Sequence, residues 1–262
     1  MKKALKKEKG YDLLITIAAP HSIHWGAAFS WIKTQTANRW IADCGDPFMG
    51  VTTDTFKPPF YFKYLEKYWC RKCDYIAVPF EGAKAGYYKE FHNKIKIIPQ
   101  GFDFSEIKIE RDFKKNGIPT FAYAGGFIPG VRDPKPFVEY LLSLQCDFKF
   151  IIFTRSAEIL EPVIQKARGK IVIKNFIPRP ELLNELSKMD FLINFTNGNT
   201  TQLPSKLIDY YITGRPILSL DSYDFNKTIA QEFIKGNYRG QLKIINPEQY
   251  RIENVAKKFL EN

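Results

Sequence analysis

Residues Thr196–Leu218, TNGNTTQLPSKLIDYYITGRPIL, follow the apolar run Phe191–Phe195 and crowd polar side chains into one loop. Pro204 suits a first helical turn. Ser205 and Lys206 then fall at a helix N-terminus, where unpaired N–H groups and the helix dipole favour an anion, and Asp209 lies one turn further on. Lys206 supplies a cation for phosphate, and Asp209 can accept hydrogen bonds from ribose hydroxyls. The same residues also read as an ordinary amphipathic helix, with Leu207, Ile208, Tyr211 and Ile212 as its apolar face and Lys206–Asp209 as an i, i+3 ion pair. A second segment suited to an anion is Phe121–Gly130, FAYAGGFIPG, in which a buried strand runs into Gly125–Gly126, with Arg132 just before a helix starting near Pro134. Glycines let backbone approach a diphosphate and a guanidinium binds phosphate oxygens in pairs, although a structural turn explains the glycines equally well.

In the first part of the chain, His21, His24, Asp43 and Asp46 carry titratable groups near the ends of strand-like runs. Asp46 is the preferred candidate for orienting or deprotonating a hydroxyl, because ligands of open α/β sheets gather beyond the carboxyl ends of strands. An Asp-Pro turn without chemistry is the competing reading, and for the histidines it is packing. Arg155 reaches a phosphate or stays solvated. Lys57–Lys72, KPPFYFKYLEKYWCRK, mixes aromatics with cations on one helix, as a membrane-surface contact does; an inward aromatic face with a solvated basic face is the alternative.

These side chains need a scaffold, and the sequence predicts one. Apolar β-type runs recur at Leu13–Ala18, Trp40–Asp43, Tyr75–Pro79, Ile95–Pro99, Phe121–Ala124, Phe148–Thr154, Ile171–Lys174, Phe191–Phe195, Ile217–Leu220 and Leu242–Ile245. Between them, segments such as Gly82–His92, Lys135–Gln145, Ala157–Ala167 and Glu248–Leu260 space apolar residues by three and four, as helices do. Strands apolar almost throughout are buried on both faces, so the fold class is α/β with parallel sheets flanked by helices. The rhythm breaks at Gln100–Pro119, which is charged and ends in Gly-Ile-Pro. This divides the chain into a first domain over 1–100, a linker over 101–118 and a second domain over 119–262.

Composition narrows the partners. The net charge is +11, with 20 Lys/Arg against 13 Asp/Glu in residues 1–118 and 19 against 15 in the remainder, a surplus that suits phosphate-bearing ligands or an acidic membrane surface. No RNA- or DNA-binding motif accompanies that charge, so nucleic acid is not the expected partner. The longest apolar runs fall far short of the ~18–20 residues of a membrane-spanning helix. Four cysteines give no disulfide framework and fit a reducing cytoplasm, and Cys70-x-x-Cys73 reads as two packed helix residues.

Taken in order, QLPSKLIDYYITGRPIL, AYAGGFIPGVRDPKPFVEYL, RWIADCGDPF, YDLLITIAAPHSIHWGA and KIKIIPQGFD resemble landmarks of the GT-B glycosyltransferases, specifically the family-4-like bacterial enzymes of surface polysaccharide and capsule synthesis. The PSK segment and its following G-x-P are the most specific. The resemblance implies two Rossmann-like domains, the N-terminal one shortened, and transfer of a sugar from a UDP-sugar or GDP-sugar to a glycan or lipid-linked glycan, with retention at the anomeric carbon and no metal or other cofactor. It places the donor diphosphate on Gly125, Gly126, Arg132, Ser205 and Lys206, Asp209 on the ribose, and the base near Asn175, Phe176 and Ile177. It gives His21 and Asp46 the acceptor side. The family's acidic pair falls on Thr201 and Asp209, so only the second keeps a carboxylate, and Gly45 and Phe48 stand where the family has Arg and Trp. The competing readings are a nucleotide-sugar-binding module without turnover and a sugar-nucleotide epimerase of the same fold.

Overall fold

The computed structural model describes residues 2–50, 57–105, 113–196, 206–244 and 246–261. They form two compact units, one drawn from Met1–Phe102 with Glu248–Asn262, the other from Asp103–Asn199 with Pro204–Pro247.

The first unit begins with α1 (Lys2–Leu5), β1 (Tyr11–Ala18), α2 (Ser22–Ala28) and β2 (Ala37–Cys44), and continues through α3 (Phe62–Lys72), β3 (Tyr75–Val78) and β4 (Ile95–Ile97). Its four strands lie side by side in chain order, all parallel. Covering both faces is what the apolar strands demand. On one face Trp40 and Ala42 of β2 pack with Trp69 of α3 and Ala27 of α2; on the other Ile41 packs with Ala77 and Ile98. Fully burying a side chain of this size contributes roughly 1.5–3 kcal/mol, so these layers set where the strand ends project.

The second unit contains β5 (Thr120–Ala124), α4 (Lys135–Ser143), β6 (Lys149–Phe153), α5 (Glu161–Ile164), β7 (Ile171–Lys174), α6 (Arg179–Ser187), β8 (Phe191–Phe195), α7 (Lys206–Ile212), β9 (Ile217–Leu220) and α8 (Lys227–Ile234). The parallel sheet has the order β7-β6-β5-β8-β9, so the chain builds outward from β5 in one direction and then returns to the other side of it at β8. Such a reversal leaves a crevice beyond the strand ends, the usual ligand position in open α/β sheets. Every residue of β5 and β8 is buried, and Phe121 stacks on Phe191 at 4.5 Å and on Phe150 at 4.9 Å. The buried Asp190 carboxylate accepts the Thr120 N–H at 2.8 Å and so ties the starts of these two strands together.

Three expectations from sequence are corrected. The helix over Glu248–Leu260 appears as a 3-10 turn followed by α9 (Ile252–Glu261), but it joins the first unit rather than the second, because Val255 and Phe259 pack against Ile41, Ala77 and Leu13. The Gly82–His92 helix is instead two 3-10 segments, Glu81–Gly86 and Lys89–Lys94. Gly86 lies so near Pro47 that a Cβ on it would fall 2.5 Å from the proline ring, and the chain turns there to make that approach. Leu242–Ile244 is not a strand. Among the described residues of the expected Leu242–Ile245 run, the Leu242 N–H bonds to the sheet at the Ile217 carbonyl, while Leu242 and Ile244 lie on the apolar cluster around Leu186 and Tyr210; Ile245 lies outside the described residues.

Candidate functional site

A cavity of about 350 Å³ opens beyond the carboxyl ends of β5, β6 and β7 in the second unit. Ala124, Gly125 and Gly126 follow from β5; Thr154 and Arg155 from β6; Phe176 and Ile177 from β7; Leu182 and Leu186 come from α6, and Lys206, Asp209 and Tyr210 from α7. Two hydrogen bonds set the geometry of the glycine turn. The Ala124 N–H donates to the Tyr210 hydroxyl at 2.8 Å, holding α7 against the end of β5, and the Gly125 N–H donates to the Phe153 carbonyl at 3.0 Å. Gly125 has φ +144°, and a Cβ there would meet the Tyr123 hydroxyl at 3.1 Å, so glycine is required by both conformation and space.

Lys206 lines the cavity with Arg132 beside it. The Lys206 ammonium nitrogen is buried and has no hydrogen-bond partner among the described residues. It sits 4.2 Å from the centroid of the Tyr123 ring. Burial, reinforced by the neighbouring Arg132 guanidinium, holds its pKa well below the ordinary 10.5. Arg132 likewise has a buried, unpartnered Nε among the described residues. Tyr123 donates its hydroxyl to the Gly126 carbonyl at 2.8 Å, and burial pushes that hydroxyl up to about 12 against the opposing pull of Arg132. Two neighbouring basic groups without an acidic partner among the described residues are costly to keep charged, and a phosphate oxygen between them relieves that cost.

Asp209 does not pair with Lys206, which corrects the i, i+3 ion pair expected of a plain amphipathic helix. Arg179, at the start of α6, binds its Oδ1 through Nε at 2.9 Å and Nη2 at 2.7 Å. This fork fixes the carboxylate at the cavity wall. Phe176 is 60% exposed, with the Arg155 guanidinium 4.2 Å over its ring, which leaves a flat cation–π pair facing the cavity. Gly125, Gly126, Phe176, Ile177, Lys206 and Asp209 are thus brought together, with Arg132 beside Lys206; Asn175 is exposed and outside the lining. Thr201 and Ser205 lie outside the described residues. Tyr123 and Arg179 were not singled out from sequence. Tyr123 looked like one more apolar residue of β5, and the signal for Arg179 was its place just after the Asn175–Ile177 segment.

In the first unit, His21 is the N-cap residue of α2 and His24 lies in the helix's first turn, with ring centroids 6.0 Å apart. His24 is fully buried and committed to structure. Its Nδ1 meets the Thr16 hydroxyl at 2.8 Å, its Nε2 meets the Cys44 thiol at 3.3 Å, and burial followed by His21 lowers it to about 4. His21 packs on Phe48 at 5.0 Å and leaves a buried Nδ1 without a partner among the described residues; burial lowers it too. Burial raises Asp43, at the end of β2, to about 6. Asp46 is exposed just beyond. Of the other candidates, Cys70 and Cys73 are buried in the α3 core, and no group of three or more His, Cys, Asp or Glu residues suited to a metal ion occurs among the described residues.

No family model matches the sequence, and no curated protein matches it. The fold, however, is shared with solved structures. TarM aligns with a TM-score of 0.65 at 14% identity, covering 99% of this chain and 56% of that one. The lipopolysaccharide outer core galactosyltransferase WaaB gives 0.61 at 14% identity, with 99% and 76% covered, and Anabaena HepE in complex with UDP gives 0.69 at 10% identity, with 99% and 80% covered. The chain therefore spans between about half and four fifths of the length of these structures. The shared architecture is the GT-B glycosyltransferase fold.

Proposed function

We propose that the chain binds a nucleotide diphosphate sugar in the cavity of its second unit and acts in glycosyl transfer to a glycan or lipid-linked glycan at the cytoplasmic membrane face, as in the synthesis of surface polysaccharide or capsule. The observation that carries this reading is the buried ammonium of Lys206, unpartnered among the described residues and beside Arg132, in one cavity lining with the Gly125–Gly126 turn and Asp209. A diphosphate takes the cationic end, where its charge grows as the sugar departs. Lys206 and Arg132 stabilise that charge as it forms, without a metal ion. Asp209, held by Arg179, accepts the ribose hydroxyls, and the base lies on Phe176. In the first unit, Asp46 orients or deprotonates the acceptor hydroxyl, with His21 on the same acceptor side. A structure with this fold contains UDP and another is named a galactosyltransferase, which supports the class of donor. The resemblance of the PSK segment implies retention at the anomeric carbon.

Thermal denaturation with UDP, GDP and their common sugars tests the reading. A true ligand at ~100 times its dissociation constant adds about 2.7 kcal/mol, and Lys206→Ala removes that gain. Unchanged melting with every nucleotide diphosphate eliminates the donor site. UDP or GDP release on adding membrane glycolipid then separates a transferase from a binding module.

A further inference from the structure

The first unit carries a basic and apolar surface, at the edge of its core, that the donor cavity does not use. A cavity of about 520 Å³ has Trp31, Phe29 and Ile32 among its walls and Lys6, Lys9 and Lys72 among its cations. Phe29 is 53% and Ile32 58% exposed, an unusual state for residues of that size flanked by lysines. Along α3 and its N-cap, Tyr61, Tyr64, Tyr68 and Lys72 recur at spacings of three, four and four, which puts them on one side of the helix. Phe29 joins this stripe to the cavity, its ring 5.3 Å from that of Tyr68, over which Lys72 holds its ammonium at 5.1 Å. At the far end Phe60 is 73% exposed.

We infer that this face of α1, α2 and α3 docks on an anionic phospholipid bilayer. Tyrosine rings with polar tips belong at the level of lipid headgroups, where Phe60, Phe29 and Ile32 reach the acyl boundary and lysines lay their stems along apolar surface with the ammonium on phosphate. Charge complementarity selects the partner. Lys6, Lys9 and Lys72 outnumber Glu8 among the residues lining the cavity, so the lining is net positive and suits an anionic surface. Base stacking by nucleic acid is disfavoured because Lys63 and Lys72 already sit over the Tyr64 and Tyr68 rings. The docking surface shares no residue with the lining of the donor cavity, so it holds whether or not the transfer reaction does.

Sedimentation of the full chain with vesicles, without nucleotide, tests it. The protein binds vesicles of phosphatidylcholine containing about 30 mol% phosphatidylglycerol and not phosphatidylcholine alone, and binding weakens as salt shortens the Debye length. At about fivefold per lysine, combined Lys6→Gln, Lys9→Gln and Lys72→Gln lowers the partition coefficient by about 100-fold, and Phe60→Ser with Tyr64→Ser lowers it separately. Far-UV circular dichroism and melting temperature confirm that both variants fold. Equal binding to neutral vesicles, undiminished binding by either folded variant, or displacement of the vesicles by an oligonucleotide overturns the assignment. UDP-dependent melting is read in parallel, so loss of nucleotide binding and loss of vesicle binding are scored independently.

Discussion

Lys206 holds its ammonium 4.2 Å from the centroid of the Tyr123 ring, and the Tyr123 hydroxyl donates in turn to the Gly126 carbonyl at 2.8 Å. One ring therefore carries both the cation and the glycine turn, and the ammonium keeps no hydrogen bond of its own among the described residues. A buried charge in this state costs stability and is retained for a ligand. Lys206→Met preserves the stem and removes the charge. It raises folding stability by about 1–3 kcal/mol and weakens UDP binding by about 100-fold. Denaturant unfolding and isothermal titration calorimetry measure the two effects, and a variant that loses stability and affinity together refutes the tension between them.

The lowered pKa of Lys206 gives a second consequence, with its sign fixed by linkage. Its folded pKa lies below the ordinary 10.5, so between the two values the unfolded chain binds a proton that the folded protein does not. Stability rises with pH across that window. A bound diphosphate favours the charged form and returns the proton. At a pH between the depressed folded value and the ordinary 10.5, UDP binding is therefore coupled to proton uptake. Titrations in buffers of different ionisation enthalpy yield a positive proton number for the wild type and none for Lys206→Met; buffer-independent enthalpies in both contradict it.

Arg179 binds Asp209 through two nitrogens, which leaves the carboxylate positioned rather than solvated. If Asp209 receives ribose hydroxyls, its loss matters only for ligands that have them. Asp209→Ala weakens UDP by about tenfold to a hundredfold and leaves 2′,3′-dideoxy-UDP nearly unaffected. Arg179→Ala acts through Asp209 and shows the same selectivity at smaller size. Double-mutant additivity between the two positions, or equal losses for both nucleotides, places Asp209 elsewhere in recognition.

The strands were legible in sequence where burial on both faces forces an apolar run, as in Phe191–Phe195 and Ile217–Leu220. Leu242–Ile244 has the same composition but lies flat on an apolar patch, and composition does not separate those two fates. The attachment of α9 to the first unit was illegible because an amphipathic helix advertises an apolar face without naming the sheet that receives it. Local spacing brings Lys206, Gly125 and Gly126 forward as candidates, and the fold gathers all three at one cavity. Tyr123 and Arg179 were not legible, since their roles arise from contacts made 83 and 30 positions away along the chain, with Lys206 and Asp209 respectively.

Glu66 supplies a prediction independent of any ligand. Its side chain is fully buried in α3, the Met49 N–H donates to Oε1 at 3.3 Å, and burial pushes its pKa from 4.5 to about 7. The folded protein thus binds the Glu66 proton more tightly than the unfolded chain. Its burial costs nothing below pH 4.5; the penalty grows as pH rises through the interval and is complete above about 7. His24 has the opposite sense, because its pKa falls to about 4 and its penalty appears as pH drops below 6.5. The two trends offset each other between 4.5 and 6.5, so the wild-type profile alone is uninformative there. Glu66→Gln keeps the Oε1 acceptor and removes the titration, while His24 and Asp43 remain common to both proteins and cancel in the difference. The variant matches the wild type near pH 4 and exceeds it near pH 8 by at most about 3 kcal/mol. Urea unfolding of both proteins at several pH values gives that difference curve, and a flat one shows that Glu66 ionises freely within the fold.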